Sequence, residues 1–564
     1  MNPPIFALPP EVQTTIIGYI PRLTDLKSLC LTCKQLRDVA MPALYETVLL
    51  PHDAWEKKSM FFRYDHPGHQ LVRQVAVCDV PSDNEAAAAE ANATLRAILQ
   101  LIPHNRPKRV VTSATLVLEP ETLLALCTRQ QRLESILAGS FRPSSLPMGL
   151  DVGQYFRFLN RLQVPQQIRQ ASDLDTSARV LQSRPGLKVL GIPRCEVAEA
   201  DDPALERLKN DELGRTQFTM DKFFGEESHI STPLLPQLQV LSMLDIDMAV
   251  AESRLLRHVD MTRLRALDMV DCANNGQFLD TLRSLYARSP SVSLLDFSFG
   301  VCWEECDTKR LQAFLGCFAG LESLDLKLGC DDDTFRPKCL YGHAQTLKHL
   351  RVSIGFDDED ITQACFPKTE LAPLLEQCTA LTELAIALPE TSVTSFAPGI
   401  SNCLFAQTLG LIATIPELEV LHILDWPEVS VEDNEVRDER FKRDYMHALD
   451  NFASLVLQHL AILSPSRSQR PKLLCIGDKT LITNRVYFNK SSDDTRDETS
   501  FEHDHGRAFY SKGYQTDCWG RSAPCAIRIP AQSARFVAPG FEAVARHARD
   551  TDGGLGTRDY FVPK

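Results

Sequence analysis

Apolar residues in the first fifty positions recur at the spacing of three short helices. Pro9 and Pro10 suit the start of the first helix, and Pro21 ends it. The three apolar stripes are Val12, Ile16, Ile17 and Ile20; Leu26, Leu29, Cys30 and Cys33; and Leu36, Val39 and Ala40. A unit of about 45 residues buries little surface alone, so we expect it to need a partner or a neighbouring domain.

Most of the remaining chain repeats the pattern L-x-x-L-x-φ, where φ is an apolar residue. The clear copies are LKVLGI, LQVLSM, LRALDM, VSLLDF, LESLDL, LKHLRV, LTELAI and LEVLHI, with weaker copies at VRQVAV and LESILA. Five consecutive middle leucines, at 241, 267, 295, 324 and 350, are 26 to 29 residues apart. Helical stretches such as GQFLDTLRSLYARSP lie between the copies. One strand–helix unit cannot bury its apolar edge, so the units are predicted to stack into a continuous core with a curved parallel sheet.

These patterns predict an α/β protein of three parts. Residues 1–50 are the helical unit, and residues 51–485 are a repeat solenoid with a curved parallel sheet and outer helices. Charged stretches near 196–232 and 431–444 contain no repeat and are predicted to be surface loops. Residues 486–564 contain almost no leucine but keep their aromatic residues. This tail either caps the end of the array or is a peptide-like segment that occupies its concave face or binds a partner.

Composition narrows the class of protein further. The 564 residues carry a net charge of −14, which makes nucleic acid or an anionic membrane an unexpected partner. The N-terminus has no secretory pattern and no uninterrupted apolar run reaches 18 residues, so no membrane span is expected. The 17 cysteines are scattered singly, which is typical of reduced thiols in the cytoplasm or nucleus.

The N-terminal unit resembles an F-box. The residues that carry the resemblance are Leu8-Pro9 with Glu11, Ile16-Ile17, Tyr19-Ile20, Asp25-Leu26, Cys33-Lys34, Pro42 and Leu44-Tyr45. In that family the F-box docks on the Skp-type linker protein of a Skp–cullin–F-box ubiquitin ligase. The resemblance implies that this contact is made by Leu8, Pro9, Ile16, Ile17, Leu26, Cys33 and Lys34. The alternative is an ordinary helical cap on the following domain.

The repeats resemble the leucine-rich repeat family, of the type with an α-helix in each unit. Together the two resemblances imply a non-catalytic adaptor, in which the F-box holds the linker protein, and through it a cullin, while the repeats hold a target protein. The alternative is a leucine-rich-repeat scaffold that binds proteins without directing ubiquitination. A mixed α/β domain with leucine-rich strands is the other interpretation of the repeats.

One polar register of the repeats is a candidate target-binding surface. The residue between the last two apolar positions of each copy faces away from the core, because strand side chains alternate. The candidates in this register are Asp268, Asp296, Asp325, Arg351 and His422. Three carboxylates on successive strands would form an acidic stripe on the concave face, which suits a target with basic side chains. The competing interpretation is that aspartate is a solvated filler at this position.

The sequence predicts no catalytic, cofactor-binding or metal site. It contains no P-loop, no glycine-rich dinucleotide turn and no G-x-S-x-G. Cys30 and Cys33 form a CxxC, but both fall on an apolar helix stripe, which favours core packing. A zinc site that would support an enzyme could be formed by His503, His505, Cys518 and Cys525, but their spacing fits no zinc pattern, so a solvated tail is favoured.

Overall fold

The structure is a computed structural model. It describes residues 8–18, 20, 23–56, 60–78, 84–112, 116–137, 140–141, 158–164, 167–168, 174–183, 185–197, 203–225, 234–289, 292–300, 307–329, 335–354, 365–389, 391–393, 396–398, 403–427, 439–464, 471–477, 507–516, 519–530, 533–534 and 537–538. The chain divides into two compact units, one up to residue 242 together with 250–260 and the other formed by 243–249 and 261–559.

The first unit opens with three helices, α1 (Pro10–Gly18), α2 (Leu23–Thr32) and α3 (Lys34–Glu46). Their core is formed by Ile17, Leu26, Leu36 and Ala40, which are at most 6% exposed. The Sγ atom of Cys33 accepts a hydrogen bond from the Leu36 N–H and so caps α3. The helices expected from the three apolar stripes are therefore present.

The rest of the first unit alternates strands with helices. Its main sheet contains six parallel strands in chain order: β1 (Thr47–Pro51), β2 (Gln74–Cys78), β3 (Arg109–Thr112), β5 (Ser135–Leu137), β7 (Arg161–Gln163) and β9 (Val189–Pro193). Two short parallel pairs lie beside it, β4 (Val117–Leu118) with β6 (Ser140–Phe141), and β8 (Gln167–Ile168) with β10 (Glu196–Val197). The helices are α4 (Glu85–Leu101), α5 (Pro120–Arg129), α6 (Asp175–Gln182), α7 (Pro203–Leu208) and α8 (Glu212–Phe224), with 3₁₀ turns at Met60–Phe62 and Pro67–Gln70.

The second unit continues the same alternation beyond β11 (Val240–Leu244) and α9 (Met248–His258), which lie at the division. Seven parallel strands follow in chain order: β12 (Ala266–Val270), β13 (Asp296–Gly300), β14 (Ser323–Leu328), β15 (His349–Ile354), β16 (Glu383–Ile386), β17 (Val420–Ile423) and β18 (Leu473–Ile476). The helices are α10 (Asn275–Arg288), α11 (Thr308–Leu315), α12 (Lys368–Gln377), α13 (Leu404–Ile412) and α14 (Glu439–Leu463), with 3₁₀ turns at Met261–Arg263 and Pro337–His343. The prediction of an α/β fold with a mostly parallel sheet is confirmed.

Helices pack on one face of the strands in the second unit. Leu267, Phe297 and Leu324 are aligned on neighbouring strands and are fully buried. The Phe297 ring lies 5.3 Å from the ring of Phe314 on α11, so this row of side chains faces the helices. Burial of one such side chain contributes about 1.5–3 kcal/mol, and the row repeats this contribution from strand to strand.

The prediction of a surface loop near 196–232 is wrong for residues 212–224, which form α8. This helix buries Met220, Phe223 and Phe224, while its charged residues are exposed or half-buried. One of them, Lys222, pairs with Asp175 of α6 at 2.8 Å. The many charged residues of this stretch obscured an apolar pattern with the 3.6-residue period of an α-helix. In the other predicted loop, residues 439–444 begin α14 and residues 431–438 lie outside the described residues.

Two antiparallel strands end the sheet of the second unit. β19 (Ala508–Thr516) pairs with β18 through residues 508–511, and β20 (Ser522–Ile529) pairs with the whole length of β19. The outer edge of β20 is covered by α14, because Ser454 Oγ accepts the Ala526 N–H and Gln458 donates to the Pro524 carbonyl. Covering this edge prevents it from pairing with another chain. No helix in the described part of the chain has the length and hydrophobicity to cross a membrane.

Candidate protein-interaction surfaces

The first candidate surface is on α1, whose preceding segment is held in place by a buried glutamine. Gln13 is 1% exposed, and its side-chain amide donates to the Leu8 carbonyl at 2.7 Å. The Val12 and Gln13 N–H groups both donate to the Pro9 carbonyl at 3.0 Å. Leu8 and Pro9 are therefore fixed against the first turn of the helix.

The apolar residues of α1 lie on two different sides of the helix. Ile17 faces the core of the three-helix unit and is 1% exposed, whereas Leu8, Val12 and Ile16 are 36%, 42% and 40% exposed. Val12 and Ile16 lie one turn apart on α1, and Leu8 lies in the preceding segment held against the first turn, so the three form an exposed apolar surface. We call Leu8, Val12 and Ile16 the α1 stripe.

The residues implied as linker contacts divide between surface and core. Leu8, Pro9, Ile16 and Lys34 are exposed, Cys33 is half-buried, and Ile17 and Leu26 are buried in the core. Ile17 and Leu26 pack in the core beneath the exposed residues and present no side chain to a partner. Two exposed apolar residues of the unit, Val12 and Leu31 of α2, are not in the implied set, and Leu31 is 79% exposed. The recurrence of Leu8, Val12 and Ile16 at every fourth position was the sequence signal that could have added Val12 to this set.

The second candidate surface is the sheet face opposite the helices in the second unit, which we call the distal face. Strand alternation places one residue of each strand in a common row on this face. The aligned residues are Asp268, Ser298, Asp325, Arg351, Ala385, His422 and Cys475.

The prediction that Asp296 belongs to this row is wrong. Asp296 pairs with Ala266 and Ser323, two positions earlier, and Ser298 takes its place between Asp268 and Asp325. The segment VSLLDFSF fits the repeat pattern in two ways, and the fold uses Leu294, Phe297 and Phe299 rather than Val292, Leu295 and Phe297. Leu294 is 1% exposed, whereas Leu295 is only half-buried.

The row is buried rather than solvated. Asp268, Asp325 and Arg351 are 1%, 5% and 5% exposed, and His422 is fully buried. Asp325 Oδ1 lies 3.8 Å from Arg351 Nε, and His422 Nε2 donates to the Gly477 carbonyl at 2.7 Å. Desolvated charges need such partners, because an unpaired buried charge is strongly destabilising. The expected ladder of solvated carboxylates is not formed. The distal face therefore gives no reason to expect a target with basic side chains.

No three His, Cys, Asp or Glu side chains among the described residues are arranged to hold a metal ion. Of the zinc set considered from the sequence, His503, His505 and Cys518 lie outside the described residues, and Cys525 is a half-buried residue of β20. Cys30 packs against the core of the three-helix unit, where burial raises the pKa of its thiol.

Comparison with known proteins adds little to this picture. No protein-family model matches the chain, and no curated protein matches it. Among solved structures it is similar to one of the Toll–Spatzle complex from Drosophila, with 10% sequence identity and a TM-score of 0.25. The alignment covers 70% of this chain and 49% of that chain, so this chain spans about half the length of its match. A structural likeness with so low a TM-score carries no inference about function.

Proposed function

We propose that the chain is a substrate-recognition adaptor of a Skp–cullin–F-box ubiquitin ligase. The three-helix unit docks on the Skp-type linker protein and through it joins a cullin, and the strand–helix repeats bind a target protein. The adaptor acts by proximity: it holds the target beside the ubiquitin-conjugating machinery and catalyses no bond formation itself.

The α1 stripe is the observation that carries this proposal. The core of the three-helix unit is complete without Leu8, Val12 and Ile16, so these side chains are available to a partner. Apolar residues exposed at helical spacing favour docking against another polypeptide. The stripe lies in the segment whose residues resemble an F-box. Truncating an anchor residue of this kind to alanine weakens binding by about 2 kcal/mol or more where the residue is a hot spot.

Affinity purification of the full chain tests the proposal. The wild-type chain should retain a Skp-type linker protein and a cullin, and a variant with Val12→Glu and Ile16→Glu should lose both, because two carboxylates would be buried in the contact. Thr15→Glu is the matched control, since Thr15 is exposed on the same helix outside the stripe. Circular dichroism checks that each variant is folded.

The alternative is a repeat scaffold without a role in ubiquitination. It predicts that the wild-type chain retains a target protein but neither the linker nor a cullin, with no difference among the three chains. Retention of the linker without a cullin would likewise contradict the adaptor role. Retention of linker and cullin by the double variant would show that the α1 stripe is not the docking surface.

A further inference from the structure

The outer edge of the first unit's sheet is β1, which is paired with β2 on one side. The Arg73 N–H donates to the Glu46 carbonyl at 2.8 Å, so the residue before β1 faces β2. Alternate residues of a strand bond to the same neighbour, and Val48 therefore faces β2 as well. Thr47 and Leu49 direct their N–H and carbonyl groups outward, away from the sheet.

The outward backbone groups of β1 are open to a partner. Within the described parts of the chain, no residue makes a hydrogen bond with the N–H or the carbonyl of Thr47 or Leu49. Leu49 is also 56% exposed. Pro51 has no N–H, and its carbonyl accepts the Ala54 N–H at 3.1 Å, so the open part of the edge ends before it. The edge offers two donors and two acceptors.

The two units treat their terminal edges differently. Proteins commonly protect an exposed edge strand with charged residues or with a covering helix. The edge of β20 in the second unit is covered by α14, where Ser454 and Gln458 bond to its backbone. β1 has the sequence TVLLP, which contains no charged residue and has proline only at its last position. This edge is therefore suited to pairing with another strand.

We propose that the partner strand is β1 of a second copy of this chain, paired antiparallel about a two-fold axis at Val48. Thr47 of one copy then lies opposite Leu49 of the other, and each such pair exchanges two N–H···O bonds. All the outward backbone groups of both copies are bonded in this register. The contact uses the same surface on both copies, as two-fold dimers do. It does not rest on the adaptor role.

The alternative two-fold register, centred on Leu49, matches the edge less well. It places Thr47 of one copy opposite Pro51 of the other. Proline has no N–H to donate to the Thr47 carbonyl, and the Pro51 carbonyl already accepts the Ala54 N–H. Only the register centred on Val48 satisfies every open group without involving Pro51.

The side chains on the exposed face of β1 suit the same register. Leu49 is aligned with Ala76 of β2 and Val111 of β3, which form an apolar row on this face. Ala76 is 5% exposed and Val111 is half-buried, so Leu49 is the exposed end of the row. Thr47 of the second copy would lie directly beside it, and an aliphatic side chain next to a β-branched one is a favourable cross-strand pair.

Sedimentation velocity of the full chain at increasing concentration tests the dimer. The wild-type chain should pass from monomer to dimer. Leu49→Pro removes one outward N–H from each copy at an edge position that tolerates proline, and should raise the dissociation constant of the dimer at least tenfold. Leu49→Lys, which places a charge on the edge, should act in the same way. Leu213→Lys is the matched control, since Leu213 is 52% exposed on α8.

Disulfide cross-linking tests the register. An equimolar mixture of Thr47→Cys and Leu49→Cys chains should form a mixed disulfide between these two positions, identified by mass spectrometry of the linked peptides. The expected distance between their Cα atoms is about 5.5 Å, which a disulfide spans. A mixture of Thr47→Cys and Leu213→Cys chains is the control and should give no link between the substituted positions.

A wild-type chain that stays monomeric at every concentration would overturn the proposal and leave the β1 edge to a strand of a target protein. Equal dimerisation of the wild-type chain and both Leu49 variants would place the contact elsewhere and overturn it too. So would linked peptides that never join positions 47 and 49. Circular dichroism checks that each variant is folded. Linker binding is measured separately through the α1 stripe, so failure of the adaptor role would leave the dimer result unchanged.

Discussion

His343 shows how one buried side chain joins neighbouring repeats in the second unit. It is fully buried, its Nδ1 accepts the Leu321 N–H at 3.2 Å, and its Nε2 lies 2.9 Å from the Leu315 carbonyl. Only the neutral ring with its proton on Nε2 satisfies both groups. Burial lowers the pKa of His343, and the hydrogen bond to Leu315 opposes this effect in part.

This environment predicts acid sensitivity. The folded pKa lies below the ordinary value of about 6.5, so the folded state binds fewer protons than the unfolded chain between the two values. The free energy of unfolding should therefore fall as the pH drops from about 7 towards 5. His343→Gln should cost about 1–3 kcal/mol at pH 7 and flatten this dependence, measured by thermal unfolding across the range.

The control is His447→Gln, because His447 is exposed on α14. It should leave both the stability at neutral pH and the slope with pH close to wild type. An equal slope in the wild-type and His343→Gln chains would show that protonation of His343 does not weaken the fold.

At the scale of elements, one arginine ties α14 to the terminal hairpin. Arg528 of β20 lies 2.8 Å from Asp450 Oδ1, donates to the Tyr510 hydroxyl at 2.9 Å and to the Met446 carbonyl at 3.3 Å. Burial raises the pKa of Tyr510, so its hydroxyl stays neutral beside the charged pair. The covered edge of β20 depends on this junction as well as on Ser454 and Gln458.

Replacing Arg528 should therefore loosen the hairpin. Arg528→Met keeps much of the apolar length but removes the charged hydrogen bonds, at a cost of about 1–2 kcal/mol for a partly exposed group. Amide exchange of residues 508–529 should quicken while that of β12–β15 stays unchanged. Arg521→Met, in the exposed turn of the same hairpin, is the control and should exchange as wild type does. Unchanged exchange in Arg528→Met would mean that backbone pairing alone holds the hairpin.

The repeat strands were predictable because the clear copies of the pattern other than VSLLDF place a buried leucine at the middle of the strand. The segment with Leu159, Leu162 and Val164 also fits the pattern, and the structure places β7 there. The alignment failed at Leu295 because adjacent leucines and alternating phenylalanines allow two registers two residues apart. The fold buries Leu294 and Phe299 rather than Val292 and Leu295, and the spacing of the sequence does not determine this choice.

The sequence also did not show which side of α1 faces the core. Val12, Ile16 and Ile20 form a stripe as regular as any core stripe, yet Val12 and Ile16 are exposed and Gln13 is buried beside Ile17. The Nε2 group of this buried polar residue donates a hydrogen bond to the Leu8 carbonyl, which offsets part of the cost of its burial. The burial of the distal-face row also depends on contacts between distant segments, which spacing along the chain does not encode.

In the molecule as a whole, we propose that linker docking and target binding belong to different parts of one acidic chain. The three-helix unit has its own core, and the apolar residues of the α1 stripe remain exposed outside that core. The repeats bury their leucines against helices and keep a second face, part of which the chain covers itself. Variants in the three-helix unit should therefore change linker binding without changing the repeats.

Calorimetric titration of the full chain with a purified Skp-type linker protein tests whether the α1 stripe docks on that protein. The account predicts a stable one-to-one complex whose dissociation constant rises at least a hundredfold in the Val12→Glu, Ile16→Glu variant and stays within about threefold of wild type in Thr15→Glu. A hundredfold change corresponds to about 2.7 kcal/mol, the size expected for two central anchors. Absence of binding by the wild-type chain, or equal affinity in all three chains, would contradict it.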